Sequence, residues 1–187
     1  MAAYDIRQFG DPVLRQVAAE VTNVDAKLVA LTNDMIETMY AAPGLGLAAP
    51  QIGVQKRLFV YDLNDGAGAK VLVNPVITES RGEWSYDEGC LSVVGLSWEI
   101  VRPKEIHLTG YDLDGNEISI EADELLSRLY QHELDHLDGK LLIDHLDAEQ
   151  RAEAMKVLRG RILATPKPAG RPAAATNKFG LSLPGKH

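Results

Sequence analysis

The chain has 187 residues, 45% of them hydrophobic, a length and composition that fit one globular domain with a sizeable core. Its formal charge of -8 argues against a general nucleic-acid binder, because such proteins usually carry a clustered basic face. The charge is unevenly divided: residues 151–187 hold 8 Lys and Arg and one acid, a net +7, which leaves -15 for residues 1–150. A basic segment therefore follows an acidic body.

The cysteine content and the N-terminus bear on the compartment. Cys90 is the only cysteine, so the chain cannot form an internal disulfide and its thiol is free for chemistry or packing. Residues 1–7 lack an apolar signal core, and no apolar run approaches the roughly 20 residues that span a bilayer. We expect a cytoplasmic protein without a membrane segment.

The first predicted element is an amphipathic helix from Asp25 to Tyr40, in which apolar residues recur at steps of three and four. Pro43 and Gly44 end it. Residues 44–53 then read Gly-Leu-Gly-Leu-Ala-Ala-Pro-Gln-Ile-Gly, which is too rich in glycine for regular structure and too apolar for a solvated loop. Small residues there would let the backbone approach another group closely.

Short strands are predicted next. Leu58 to Leu63 and Val71 to Ile77 are β-branched or aromatic runs separated by a turn-rich connection. Ile106 to Leu113 and Glu117 to Ile120 flank Asp114-Gly115, which is a strong signal for a hairpin. We therefore expect antiparallel pairing.

Two further helices complete the prediction. The second begins near Ala122, carries several leucines and ends at Gly139, and the third runs from Asp147 to about Leu163. Residues 165–187 are rich in Pro, Ala, Gly and Lys, and we expect them to be an extended or disordered tail. Because strands and helices do not alternate as βαβ units, the sequence predicts an α+β fold with antiparallel β-sheets packed around the central second helix.

The second helix contains the motif His132-Glu133-Leu134-Asp135-His136. Residues four apart on a helix lie about 40° apart around its axis and roughly 6 Å apart along it, so both imidazoles can reach one metal ion. Glu133 leans to the same side, where its carboxylate can contact a metal-bound water. The alternative is that both histidines are core residues whose ring nitrogens bond backbone carbonyls.

A catalytic site of this type needs a third protein ligand and keeps one position open for water. Cys90 is the candidate, and it lies in Glu88-Gly89-Cys90-Leu91-Ser92, where the adjacent glycine permits an unusual backbone path. Taken alone, a single cytosolic cysteine is more often a buried structural thiol. The residues considered so far leave both interpretations open.

Three segments together resemble the peptide deformylase family in order and spacing. They are Gly44-Leu45-Gly46-Leu47-Ala48-Ala49-Pro50-Gln51, Glu88-Gly89-Cys90-Leu91-Ser92 and Gln131-His132-Glu133-Leu134-Asp135-His136. The likeness extends from Asp11 to about Leu146. It implies a deformylase-like catalytic domain over residues 1–164, and an activity that removes the formyl group from the N-formylmethionine of newly synthesised polypeptides and releases formate.

The resemblance also implies the roles of individual residues. It makes three residues the ligands of one divalent metal ion, namely Cys90, His132 and His136. Glu133 becomes the general acid/base, and the Gln51 side-chain amide and the Leu91 backbone N–H become donors to the developing oxyanion. Family resemblance favours Fe²⁺, although a set of one thiolate and two imidazoles also suits Zn²⁺, Ni²⁺ or Co²⁺.

A methionine side chain is unbranched and needs an apolar pocket. Leu129 and Leu125 lie one and two turns before the ligand histidines and Leu45 lies in the glycine-rich segment, so these three are candidates for the lining. The alternative for each is ordinary core packing. Backbone groups of Gly44, Leu45 and Gly46 would pair with an extended peptide as an added strand does.

Two arginines could hold the ligand-bearing loop, contact the peptide or be exposed. For Arg102 we expect loop support with Glu88 or Asp135 as the partner, because a buried carboxylate favours a planar bidentate donor. For Arg128 all three interpretations stay open.

Other functions and partners have to be weighed. A zincin-type endopeptidase would use His132 and His136 with a third ligand further along the chain, such as His145. A structural metal site would need a fourth protein ligand, and no second cysteine is available. The basic C-terminal segment would either contact ribosomal RNA where nascent chains emerge or form a solvated helix with a loose tail. We expect neither DNA nor a membrane as a partner.

Overall fold

A computed structural model describes residues 4–164, so the tail predicted over residues 165–187 lies outside the described residues. Three α-helices occupy Ala26–Ala41 (α1), Glu124–Leu137 (α2) and Ala148–Ala164 (α3). Seven strands lie at Gly46–Ala48 (β1), Leu58–Tyr61 (β2), Lys70–Arg81 (β3), Trp84–Gly89 (β4), Ser97–Arg102 (β5), Glu105–Tyr111 (β6) and Glu117–Asp123 (β7). The mixture of sheets and helices confirms the predicted α+β fold.

The strands form two antiparallel sheets. Five of them pair in the order β1-β2-β3-β6-β7, and β4 pairs with β5 in a separate hairpin. Leu108 lies opposite Ile120 in the predicted β6–β7 hairpin. Ile106, Leu108 and Gly110 of β6 are buried while the residues between them are more exposed, as expected for a sheet with one face on the core.

Helix α2 packs across the inner face of the large sheet. Its buried apolar side chains meet buried side chains of β2, β3 and β6, and the set comprises Leu129, Tyr130, Leu134 and Leu137 with Phe59, Leu72 and Leu108. Burying side chains of this size contributes roughly 1.5–3 kcal/mol each, so the packing fixes the rotation of the helix about its axis. The predicted stop at Gly139 is confirmed, since that residue has φ 70 and a Cβ there would lie 2.8 Å from the Arg15 carbonyl oxygen.

Helix α1 covers the sheet beside β1 and β2. The Asp25 side chain caps it by accepting a 2.9 Å hydrogen bond from the Leu28 N–H. Leu28, Met35 and Met39 are buried in a cluster that also contains residues of β1 and β2. The predicted first helix is confirmed to within one residue at each end.

Three predictions were wrong in part. Strand β3 continues to Arg81, past the predicted end at Ile77. Residues 44–53 were expected to be irregular, but they contain strand β1 and a short 3-10 helix, Ala49–Ile52. Gly46 is needed because β1 runs against α2 at that residue, where a Cβ would lie 2.4 Å from Glu133 Oε1. Strand β7 continues to Asp123, past the predicted end at Ile120, because pairing with β6 extends to that residue and delays the start of α2.

The β4–β5 hairpin was not predicted. Its inward-facing positions include Glu88 and Arg102, so the hairpin lacks the apolar alternation that marks a strand. Helix α3 agrees with its prediction and buries Ala154 and Leu158 in a cluster with Leu14. Among residues 4–164, none of the helices combines the length and the apolar character that crossing a bilayer requires.

Candidate metal centre

Cys90, His132 and His136 converge where the end of the β4–β5 hairpin meets α2. Their donor atoms all lie within 4.8 Å of one another, and Cys90 Sγ is 3.3 Å from His136 Nε2. The histidines come together because they are one helical turn apart. Cys90 follows β4 directly, and the hairpin carries it to the helix. The structure therefore assembles the three predicted ligands at one point.

Glu88 orients His132. The carboxylate Oε2 lies 3.0 Å from His132 Nδ1, which leaves Nε2 free to face the thiol. Arg102 holds the same carboxylate with two hydrogen bonds of 2.6 and 3.0 Å and donates a third, of 2.8 Å, to Asp135. The predicted pairing of Arg102 is confirmed, with both candidate partners engaged at once.

Arg128 is a second cation on Glu88. It donates to Glu88 Oε1 and to the Trp84 carbonyl, and to the Ile100 carbonyl over 3.0 Å, while its guanidinium lies 4.9 Å from the centre of the Trp84 ring. Burial raises the pKa of Glu88, but hydrogen bonds from His132 and Arg102 outweigh it and hold that pKa well below its usual value. Glu88 is therefore a buried anion with matched cations. The sequence analysis left the role of Arg128 open and did not predict its pairing with Glu88.

The Cys90 sulfur has the electrostatics of a metal ligand. Burial raises the pKa of the thiol, but the neighbouring His136 and His132 lower it more strongly, so the net pKa lies well below the ordinary value. The Ser92 backbone N–H also donates to the sulfur over 3.4 Å. A thiolate with two imidazoles is a donor set that divalent transition metals accept, and with three protein ligands one position stays open. The residues thus fit a catalytic metal ion.

Gln51 is held beside the thiol by two contacts. Its Oε1 accepts a 2.8 Å hydrogen bond from the Ala48 N–H, which turns Nε2 towards Ser92 Oγ at 3.2 Å and Cys90 Sγ at 3.9 Å. Leu91 follows Cys90 and lines the same cavity. Gln51 and Leu91, the two predicted oxyanion donors, therefore both line the cavity that contains the thiol. Ser92, for which no role was predicted, is fully buried and orients Gln51.

Glu133 lies between the two histidines and is only 4% exposed. Its Oε2 is buried and has no hydrogen-bond partner among residues 4–164, and the same is true of His136 Nδ1. Burial raises the pKa of Glu133, and the positive charge that His132 and His136 can carry only partly offsets this, so the net pKa is raised. A buried carboxyl group with one unpartnered oxygen is suited to accepting and returning a proton.

A cavity of about 450 Å³ opens beside the three ligands. It is bounded by the segment before β1, by β4 and by the first turns of α2. The predicted lining residues Leu45, Leu125 and Leu129 all reach it, together with Gly44 and Gly46. Sequence reasoning did not predict the apolar lining residues Tyr86, Val94 and Leu96, because they lie on the hairpin or in the loop between its strands. Arg128, for which peptide contact was one open interpretation, also lines the cavity.

His145 was the candidate third ligand of a zincin-type site. It lies outside the Cys90, His132 and His136 group, and its Nε2 is 2.6 Å from Asp135 Oδ2. Nothing in its position supports that alternative.

Comparison with known proteins shows which family this chain resembles. Residues 3–152 match the family model described as Polypeptide deformylase. The chain is 51% identical over 159 residues to a peptide deformylase of Acidothermus cellulolyticus, a match that covers 85% of this chain and 87% of the relative. It is 44% identical over 171 residues to a peptide deformylase of Parafrankia sp., covering 90% and 93%.

Solved structures agree with the sequence comparison. A peptide deformylase from Legionella pneumophila superposes with a TM-score of 0.82 at 41% identity and covers 89% of this chain and 100% of its own. A peptide deformylase from Ehrlichia chaffeensis in complex with actinonin gives a TM-score of 0.80 at 36% identity, covering 86% and 98%.

Proposed function

The chain belongs to the polypeptide deformylase family, and from that premise we propose that it removes the formyl group from the N-formylmethionine of newly synthesised polypeptides and releases formate. The observation that carries the proposal is the convergence of one thiolate and two imidazoles on the edge of an apolar cavity, beside a buried carboxyl group with an unpartnered oxygen. This arrangement combines a hydrolytic centre with a pocket for an apolar side chain.

We assign Cys90, His132 and His136 as the residues that would hold the metal ion. When bound, a divalent ion in such a set supplies Lewis acidity, which polarises a carbonyl and lowers the pKa of water. The proposal favours Fe²⁺ on family resemblance, with Zn²⁺, Ni²⁺ and Co²⁺ as alternatives. Metal analysis of protein purified without air tests the choice. Iron as the native metal predicts activity that falls on exposure to air, whereas activity that survives aerobic purification contradicts it.

The protein's own groups would perform the proton transfers. Glu133 takes a proton from the attacking water and delivers it to the departing amine nitrogen, a task that its raised pKa favours. The Gln51 Nε2 group and the Leu91 backbone N–H donate to the formyl oxygen as negative charge develops on it. Because Ala48 and Ser92 fix the Gln51 amide in advance, that donor needs no reorientation during the reaction.

Substrate binding would use the cavity walls. Leu45, Leu125 and Leu129 offer apolar contact to the methionine side chain, while backbone groups of Gly44 and Gly46 pair with the extended peptide. A nascent-chain substrate implies that the protein acts where translation occurs, in the cytoplasm. We keep the division into a catalytic domain over residues 1–164 and a tail over residues 165–187 as part of the proposal.

Formate release from formyl-Met-Ala tests the function directly, with casein cleavage measured beside it. We expect formate release and no casein cleavage. Casein cleavage without formate release would favour the zincin-type endopeptidase instead. A Cys90→Ser variant should lose its bound metal together with activity, because a neutral hydroxyl is a much weaker ligand than a thiolate.

Ribosome contact through the basic C-terminal segment is a separate proposal that rests on charge. Helix α3 contributes Arg151, Lys156 and Arg159, and its buried Ala154 and Leu158 belong to the core, so a truncation should retain it. Removal of residues 165–187 is therefore the suitable variant. If that segment docks, co-sedimentation with ribosomes falls while activity on a free peptide persists. Unchanged co-sedimentation would show that residues 165–187 are not needed for docking.

A further inference from the structure

Residues 42–45, here called the cleft loop, connect α1 to β1 and form one wall of the cavity. Pro43, Gly44 and Leu45 all line it. Under the proposed function this loop holds the methionyl end of the substrate, so its distance from the opposite wall determines how tightly the substrate binds. The contacts that hold the cleft loop in place therefore bear on substrate affinity.

Backbone hydrogen bonds fix the second half of the loop. The Gly44 N–H donates to the Met39 carbonyl oxygen over 3.0 Å, which ties the loop to the end of α1. The Asp62 N–H donates to the Leu45 carbonyl oxygen over 2.9 Å, one residue beyond the last β1–β2 pair. Asp62 is thus the residue at which the cleft loop joins the sheet.

The Asp62 side chain makes a second connection, to α1. The Tyr40 hydroxyl donates to Asp62 Oδ2 over 2.5 Å, and the Asn64 N–H donates to Oδ1 over 2.7 Å. Asp62 is 6% exposed, whereas Tyr40 is 47% exposed, so the acceptor is buried and the donor residue lies at the surface. The hydrogen bond from Tyr40 lowers the pKa of Asp62, which keeps the carboxylate ionised. Hydrogen bonds to an ionised acceptor are shorter and stronger than neutral ones.

We infer that Tyr40 and Asp62 act as a positioning pair that holds the cleft loop against the substrate, an inference that rests on the proposed function. The pair joins the end of α1, where the cleft loop begins, to the residue after β2 whose N–H holds the Leu45 carbonyl oxygen. The two attachment points of the loop are therefore tied to each other. Neither residue is among the described residues that line the cavity, so the pair reaches the substrate only through the loop.

The Tyr40→Phe variant tests the inference, because it removes the hydroxyl and keeps the ring. With formyl-Met-Ala-Ser we expect KM to rise roughly three- to tenfold, the range that one net hydrogen bond corresponds to, while kcat stays within about twofold. Tyr111→Phe is the matched control, since Tyr111 is 45% exposed and lies at the end of β6, away from the cavity. That variant should leave both constants unchanged.

Two further measurements separate positioning from general loosening. Asp62→Ala should raise KM at least as much, because it removes the acceptor of the Tyr40 hydroxyl together with that of the Asn64 N–H. The double variant should not exceed the Asp62→Ala effect, because Asp62→Ala has already removed the bond that Tyr40→Phe removes. Hydrogen exchange at the Asp62 amide, which bonds the cleft loop, should speed up roughly tenfold in Tyr40→Phe and stay unchanged in Tyr111→Phe.

An unchanged KM in Tyr40→Phe, a fall confined to kcat, or additive effects in the double variant would each overturn the inference. A wild-type protein that releases no formate would overturn the proposed function instead. Amide exchange at Asp62 would then still decide whether Tyr40 holds the cleft loop.

Discussion

Gly46 lies directly against the carboxyl group of Glu133: a Cβ on Gly46 would stand 2.4 Å from Glu133 Oε1 and 2.8 Å from its Cδ. Strand β1 and helix α2 therefore approach each other at a point where only a hydrogen atom fits. The Glu133 carboxyl group, the acid/base candidate, can occupy its position only because residue 46 has no side chain.

Gly46→Ala should displace the Glu133 carboxyl group. We expect kcat/KM to fall by roughly 10²-fold, the cost of misplacing a catalytic group by about 1 Å, with metal content unchanged. Gly160→Ala is the control, because nothing lies within 4 Å of a Cβ there; it should keep full activity and gain up to about 1 kcal/mol of stability. Steady-state formate release measures both variants. Wild-type activity in Gly46→Ala would show that the contact does not constrain the reaction.

Glu133→Gln should separate proton transfer from metal binding. The amide keeps the shape of the side chain but cannot accept the proton, so kcat should fall roughly 10²- to 10⁴-fold while the bound metal stays at the wild-type level. Glu149→Gln on the exposed side of α3 is a matched control that should change neither quantity. Retention of more than a tenth of the wild-type kcat would contradict the assigned role.

Arg102→Leu should lower both the free energy of unfolding and the metal affinity, because it removes one cation from Glu88. Removing one cation from a buried carboxylate typically costs 3–5 kcal/mol of unfolding free energy. Because Glu88 also orients His132, metal affinity should fall roughly 10- to 100-fold. The control is Arg81→Leu, which removes exposed pairs with Glu105 and Glu121 and should leave the free energy of unfolding close to the wild-type value. Unchanged metal content and activity in Arg102→Leu would refute the supporting role.

Asp144 should make the free energy of unfolding depend on pH in the acidic range. Burial raises the pKa of Asp144, but hydrogen bonds from Arg15 and the Leu141 N–H outweigh it, so the net pKa lies below the ordinary value. A depressed folded-state pKa means that the ionised form stabilises the fold. This contribution is present above the unfolded-state pKa of roughly 4 and is lost as pH falls through the folded-state value.

Asp144→Asn should therefore be less stable than wild type at pH 7, and the difference should shrink towards pH 3. Urea unfolding of both proteins at the two pH values measures it. A difference of the same size at both pH values would assign the loss to packing instead of charge.

The elements that the sequence predicted well are those with a strong local pattern. Helix α1 has a capping aspartate and apolar steps of three and four, and α2 carries its histidines at the spacing of one turn. The β6–β7 hairpin is specified by an Asp-Gly turn between apolar runs. Each of these signals lies within a few residues of the element that it defines, so no tertiary contact is needed to detect it.

Features that join distant segments could not be predicted this way. The β4–β5 hairpin faces inward with Glu88 and Arg102, which pair with each other and find their remaining partners, Asp135 and His132, on α2. Strand β1 was not predicted because glycine in this segment indicates irregular structure. The close approach of Gly46 to α2 explains the glycine, and that contact is visible only in the tertiary structure. In both places, the physical reason for a residue lies on another part of the chain.

The metal site also has parts that the sequence predicts and parts that only the tertiary structure determines. By itself the sequence determined the two histidines and the glutamate on one helix face, because helical periodicity alone places them, and the shared motifs supplied Cys90 as the third ligand. Only the tertiary structure decided that Arg128 shares Glu88 with Arg102, and that the Tyr40 hydroxyl bonds Asp62 across the cleft loop. Such contacts depend on how two packed elements meet, and that relationship arises from burial of the whole core, which no local pattern encodes.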